Sequence, residues 1–216
     1  MEEHKVPVRA IENLTHDVKK LTIDKPAGYH FTPGQATEVA LDQDGWREEG
    51  RPFTFTSLPE DEQLELVVKC YRDHKGVTQQ IDKLNIGDHL LLHDVWGAIQ
   101  YQKPGIFLAG GAGVTPFIAI FRQLKAQGKV GDNKLLFFNH TQQDVILRSF
   151  WEHTLGDNFH SFHTHEGDER INAALLKKYA RAGDHFYLCG PDGFMEASQE
   201  AIQAIGGSTE AITLEA

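Results

Sequence analysis

Arg51 opens the stretch RPFTFTSLP (Arg51–Pro59), where apolar Phe53 and Phe55 alternate with hydroxylated Thr54 and Thr56, and Ser57 and Pro59 close the run. A half-buried strand normally shows charge to water, so a face of hydroxyls with a fixed cation at its mouth suits a polar ligand. A second candidate lies at AGGAGVTPF, where Gly110, Gly111 and Gly113 permit a tight turn ahead of Thr115 and Pro116. A helix N-terminus there offers unpaired N–H groups and a partial positive charge, the chemistry that holds a pyrophosphate, although a plain tight turn would use the same glycines. The stretch HKGVTQQI, with Gly76, Val77 and Thr78, is a third such helix start. Arg51 alone reads as a solvated strand-end cation. Beside a helix start it reads as half of a diphosphate site. Two such sites, one in each half of the chain, are most simply those of a flavin enzyme that also uses a nicotinamide.

Other reactive side chains carry less. Cys70 and Cys189 are the two cysteines, far apart, with no C-x-x-C and no zinc or iron–sulfur spacing. A reducing, cytoplasmic location is expected. His163 and His165 in FHSFHTH would share a strand face at period 2, but no cysteine or clustered carboxylate completes a shell, so packed or solvated histidines are expected and no metal. The net charge of −10 argues against a general nucleic-acid or anionic-membrane binder. The longest uncharged run, Gly105–Phe121, approaches the roughly 20 residues of a membrane span. Its glycines and Pro116 favour a buried strand, a turn and a helix start instead. The first residues, MEEHKVPVRA, lack the apolar core of a signal peptide.

The elements that must position these groups fall into two textures. Up to residue 102, six short runs, KVPVRAIENL, VKKLTID, ATEVALD, RPFTFTS, LELVVKCY and HLLLHDV, read as strands of a closed antiparallel β-barrel. One helix, GVTQQIDKL, interrupts them, with Thr78 as N-cap and Ile81 and Leu84 as its apolar stripe. From 103 to 216 apolar strands (IFLAG, KLLFFNH, HFYLCG) alternate with helices, which predicts an α/β domain with a parallel sheet covered on both faces. The expected helices include TPFIAIFRQLKAQG, capped by Thr115 and stopped at Gly128, INAALLKKYARAG and GFMEASQEAIQAIG. The boundary is placed at Gln102–Pro104.

Five motifs in order, RPFTFTS, GVTQQI, GDHLLLHDVWG, GGAGVTPF and LCGPDGFM, make the chain resemble the ferredoxin–NADP reductase superfamily, in particular its compact flavodoxin/ferredoxin reductase-like members. The resemblance covers almost the whole chain. It implies an FAD-binding barrel and an NAD(P)-binding domain, with FMN as the less favoured flavin. Arg51 would then hold the flavin pyrophosphate with Gly76, Val77 and Thr78, Phe53 would stack on the ring, Pro52 would be a further cofactor-binding residue, and Thr54 would face the reactive ring nitrogen. Thr56 and Ser57 would continue the cofactor groove. Gly110, Gly111, Gly113, Thr115 and Pro116 would meet the nicotinamide nucleotide, so that a side chain at Gly113 would crowd its pyrophosphate. Cys189, with Gly190 and Pro191, would face the nicotinamide. Glu215 resembles the family's near-terminal acid, without the aromatic that often follows. Thr54, Cys189 and Glu215 are thus the catalytic candidates.

Asn139 and His140 stand where NADPH users of the family often carry arginine. That tilts the expectation to NADH, with Arg148 or Lys134 as cations that could restore NADPH use. The implied activity is an NAD(P)H oxidoreductase passing electrons to a separate acceptor: flavodoxin, ferredoxin or a similar protein, or a small oxidant. The alternatives are a flavin-bearing electron-transfer or docking subunit without NAD(P)H turnover of its own, and a single-nucleotide dehydrogenase, which would leave the barrel unexplained. Cys70 carries no such context and is expected to pack.

Overall fold

A computed structural model describes residues 3–97, 99–181 and 183–207 and the backbone of 212–214. Glu215 lies outside them. The first half forms a six-stranded antiparallel sheet from β1 (His4–Asn13), β2 (Val18–Asp24), β3 (Ala36–Leu41), β4 (Arg51–Thr54), β5 (Gln63–Lys69) and β6 (His89–Trp96), in the order β4-β3-β6-β1-β2-β5. The two edge strands meet: Phe55 bridges Leu66, and the Thr56 amide donates to the Glu65 carbonyl at 2.9 Å. This seam gives the sheet its barrel shape. Period-2 alternation supplies the interior, because Leu64, Leu66 and Val68 of β5 join Leu21, Ile23, Val39, Phe55 and Leu90 in one buried cluster. Val67, on the opposite face of β5, turns outward and packs with Phe107, Phe117 and Phe121 of the second half.

Helix α1 (Val77–Ile81) plugs the barrel with Val77, Ile81 and Leu84. Its N-cap is Gly76 rather than Thr78, and no side chain caps it. The helix starts two residues earlier than expected because Val77 is drawn into the core.

The second half is a parallel sheet of β7 (Gly105–Gly110), β8 (Lys134–Asn139), β9 (Phe159–His163), β10 (His185–Cys189) and β11 (Ile212–Leu214), in the order β11-β10-β7-β8-β9. Along β7, Phe107 and Ala109 face α2 (Thr115–Ala126) and α3 (Arg148–Leu155), while Ile106 and Leu108 pack in the cluster that holds α4 (Ala173–Leu176) and α5 (Asp192–Ala204). Apolar side chains on both faces are what a parallel sheet covered twice requires. Three local expectations are corrected. Thr115 is the first residue of α2, not its cap; Val114 precedes it at the end of a 3₁₀ turn, Gly111–Val114, and Pro116 sits in the first turn. INAALLKKYARAG forms only the short α4, capped by Asn172 Oδ1, which accepts from the Leu175 amide at 2.9 Å. It ends where Lys178 and Tyr179 tighten to bonds with the third residue back. β9 ends at His163, so His165 lies in the following turn and stacks on His140 with ring centres 4.4 Å apart.

Candidate active site between the two sheets

A groove of about 270 Å³ opens where the barrel meets the carboxyl ends of the parallel strands. The barrel contributes Pro52, Phe53 and Thr54 at the end of β4, Lys69 at the end of β5, Tyr71 just beyond it, Thr78 of α1 and Trp96 at the end of β6. Ala112, Thr115 and Cys189 close it from the other half. Phe53, Tyr71 and Trp96 are the aromatic residues of its lining, and Thr54, Thr78 and Thr115 are the hydroxylated ones other than Tyr71. A larger cleft of about 390 Å³, lined by Gly105, Lys134, Arg181 and Asp184, sits at the amino ends of β7 and β8. Open α/β sheets bind ligands outside the carboxyl ends, so the smaller groove is the candidate site.

The local chain explains each placement. β4 stops at Thr54, and the chain then bends into the seam. Pro52, Phe53 and Thr54 are left at the groove, while Phe55 enters the barrel core. Thr56 and Ser57 therefore do not continue the groove. Both are fully buried in the seam, and Ser57 Oγ accepts from the Glu65 amide at 3.0 Å. Arg51 is exposed at the start of β4; its guanidinium donates to the Gly50 carbonyl at 2.7 Å and lies 3.8 Å from Glu49. Val77 points into the barrel and Thr78 lines the groove, while Gly76 precedes them at the helix start. At Gly76 the backbone is extended (φ −156°) and a β-carbon would meet nothing within 4 Å. The protein itself does not demand glycine there.

The glycine turn behaves differently. A β-carbon on Gly113 would stand 2.3 Å from the Cys189 carbonyl oxygen and 2.6 Å from the Gly190 α-carbon. One on Gly110 would touch the Phe194 ring at 3.0 Å and Pro191 at 3.1 Å, and one on Gly190 would press the same ring at 2.6 Å. These three glycines let the turn after β7 lie against the Cys189–Pro191 turn. The structure by itself already demands glycine at Gly113, because a side chain there would meet the backbone at the end of β10. Gly111 alone takes φ +53° with open space around it. Pro116 is buried in the first turn of α2, and Pro191 caps α5. Cys189 is buried at the groove wall. Cys70 sits in the barrel core, where burial pushes its thiol up to about 11.

Lys69, Tyr71, Trp96, Val67, Val68 and Ala112 were missed as lining residues. Lys69 and Tyr71 carried a signal: they lie two apart as β5 runs out toward Gly76, so they share a face. At the carboxyl end of β8, Asn139 is buried, and neither of its side-chain amide atoms has a hydrogen-bond partner. Nearby, Glu166 Oε1 accepts from the Gln142 amide at 3.2 Å. Arg148 pairs with Glu152 at 2.8 Å. Lys134 begins β8 and donates to the Tyr179 carbonyl at 2.9 Å, five residues and about 16 Å of strand from Asn139.

Residues 3–114, just over half of the chain, match the family of FAD-binding domains, and residues 107–200 match the oxidoreductase NAD-binding domain. The carnitine monooxygenase reductase subunit of Escherichia coli (strain K12) is 26% identical over 89% of this chain and 61% of its own length. The ferredoxin–NAD(P)+ reductase component of the naphthalene 1,2-dioxygenase system of Pseudomonas putida is 24% identical over 97% of this chain and 67% of its own. The chain thus spans roughly three-fifths to two-thirds of these curated relatives. A ferredoxin–NADP+ reductase from Neisseria gonorrhoeae, solved with FAD and NADP, superposes with a TM-score of 0.86 at 17% identity, covering all of this chain and 98% of the other.

Proposed function

The chain belongs to the ferredoxin–NADP reductase-like superfamily, and on that premise we propose that it oxidises NAD(P)H at a bound FAD and delivers the electrons to a separate acceptor. The observation that carries this reading is the groove itself. It brings Phe53 and Thr54 of the barrel opposite Thr115 and Cys189 of the nucleotide half. The residues suit a flavin: Phe53, Tyr71 and Trp96 offer ring surfaces, the threonines offer hydroxyls, and Gly76 leaves its backbone open to close approach by a ligand. When bound, the flavin supplies two-electron exchange with a nicotinamide and release of electrons singly or as a pair. In this reading Arg51 neutralises the flavin pyrophosphate beside Gly76 and Thr78. Thr54 orients the ring edge, and Cys189 positions the nicotinamide.

NADH is the preferred donor in this proposal. Lys134 lies at the wrong end of its strand to meet a 2′-phosphate, and Arg148 already pairs with Glu152. Glu166, bonded to the Gln142 amide, adds negative charge at that edge. A protein acceptor of the ferredoxin or flavodoxin kind is part of this proposal, and the naphthalene dioxygenase relative, a ferredoxin–NAD(P)+ reductase component, supports the ferredoxin choice. A small oxidant is the other candidate. No helix among the described residues is long and apolar enough to cross a membrane. A cytoplasmic location is part of the reading, supported by two free cysteines.

Anaerobic mixing decides the matter. The purified protein is expected to be yellow, to bleach with NADH, and to show the higher kcat/KM for NADH at neutral pH. A yellow protein that NADH and NADPH both leave coloured would be a flavin-bearing subunit without NAD(P)H turnover of its own. A clear NADPH preference would overturn the coenzyme assignment and point to Arg148. Extraction of the flavin distinguishes FAD from FMN, and a screen of ferredoxins, flavodoxins and small oxidants identifies the acceptor.

A further inference from the structure

We propose that Arg122 is a positioning residue that fixes the angle between the barrel and the parallel sheet, and with it the separation of Thr54 from Cys189 across the groove. This rests on the function proposed above. One guanidinium nitrogen of Arg122 donates to the Thr56 carbonyl at 2.7 Å and also to the Glu65 carboxylate. Both acceptors belong to the seam that closes the barrel, where the Thr56 amide meets the Glu65 carbonyl and Ser57 Oγ meets the Glu65 amide.

The contact is connected to the groove at both ends. On the helix side, Arg122 lies seven residues after Thr115, two turns along the same face of α2, and Thr115 lines the groove. On the barrel side, Thr56 lies two residues after Thr54, which lines the opposite wall. A rotation of one half about the other therefore moves Thr115 and Cys189 relative to Phe53 and Thr54, unless the Arg122 contact holds.

Among the described residues, other hydrogen bonds between the halves sit at the linker, where the Gln102 amide donates to Tyr187 Oη at 2.9 Å and Asn133 Nδ2 donates to Tyr101 Oη at 3.1 Å; they anchor the connection rather than the two sides of the groove. Val18 and Val67 of the barrel join Phe117 and Phe121 in a shared apolar cluster. Apolar burial favours contact but has no direction, so such a surface tolerates sliding. His16 reaches Asp144 at 3.6 Å from an exposed turn, too long for a hydrogen bond. The Arg122 contact is charge-assisted, directional and partly shielded from water, with side-chain exposures of 27% for Arg122 and 21% for Glu65.

The test compares wild type with Arg122→Ala, Arg122→Lys and Glu65→Gln. Spin labels at Ile86→Cys on the barrel and Gln203→Cys on α5, both exposed positions, report the distance between halves in the flavin-free protein by pulsed electron paramagnetic resonance. Arg122→Ala is expected to at least double the width of the distance distribution. In the flavin-loaded protein it should retain stoichiometric flavin and bind NADH within twofold of wild type, while the limiting rate of flavin bleaching falls at least tenfold. Arg122→Lys keeps a cationic donor and should recover most of the rate, and Glu65→Gln should show a smaller loss. A distance width and limiting rate within twofold of wild type would overturn the proposal. So would a rate loss that merely tracks lost flavin. Should Arg122→Ala fail to fold, Glu65→Gln carries both measurements with the helix untouched. Should wild type not bleach, the functional reading fails, and the distance measurement still decides the role of Arg122.

Discussion

Gly113 and Cys189 are in backbone contact: a β-carbon on Gly113 would stand 2.3 Å from the Cys189 carbonyl oxygen. The glycine turn after β7 and the turn after β10 therefore form one unit, although 75 residues separate them. Gly113→Val is expected to destabilise the fold itself, toward the upper end of the roughly 1–3 kcal/mol typical of overpacking. Gly76→Ala should be close to neutral, within about 0.5 kcal/mol, because its backbone is extended and its surroundings are open. Urea denaturation of the two flavin-free variants separates them. Equal midpoints would show that the turn relaxes around the added side chain.

Arg51 is exposed and holds one neighbouring carbonyl and a distant carboxylate. Arg51→Ala should leave the melting temperature of the flavin-free protein unchanged. Flavin affinity should fall by about 1.5–3 kcal/mol, the usual cost of a lost hydrogen bond to a charged group. Titration of FAD into the apo-protein measures it, and unchanged affinity removes Arg51 from the site.

Cys189 lines the groove and Cys70 is sealed in the barrel core. With its thiol pushed up to about 11, Cys70 is about 0.1% thiolate at pH 8. Iodoacetamide should therefore modify Cys189 first, and NADH should slow that modification. Cys189→Ala should slow flavin reduction at saturating NADH while leaving NADH affinity within twofold. A wild-type limiting rate would reduce Cys189 to a packing residue.

His185 begins β10, buried with its ring edge-on to Tyr187 at 4.7 Å. Burial, aided by the Lys103 charge, lowers its pKa from the ordinary value near 6.5. His160 shifts the same way, through burial first and Lys134 second. The unfolded chain takes up these protons at a higher pH than the native one does. Stability is thus fully present above about pH 6.5 and lost as pH falls through the depressed native values. Urea midpoints should drop between pH 7 and 5, and His185→Gln should flatten the slope. An unchanged slope would show that His185 is not among the groups responsible.

The two-texture division of the chain was legible without coordinates because it depends on periodicity. Alternation at Leu64, Leu66 and Val68 marks a strand with one buried face, while IFLAG and LLFF are apolar throughout because helices cover both sides. The groove residues Phe53, Thr54, Thr78, Thr115 and Cys189 were also within reach, since each sits in a short motif with its own chemistry. Tertiary structure decided what each face packs against, and that is where local reading failed. Thr56 and Ser57 have the residue types of a cofactor groove, yet β5 closes on β4 there and takes both into the seam. Gly113 looks like a phosphate-loop glycine, but its neighbour is the backbone of a strand far along the chain. Arg122 is one more cation on an amphipathic helix until the fold brings Thr56 and Glu65 beneath it. Residue type and spacing specify what a side chain can do, but its partner is set by how segments pack, whether 8 residues apart as at Ser57 and Glu65 or 66 apart as at Thr56 and Arg122, which no local pattern encodes.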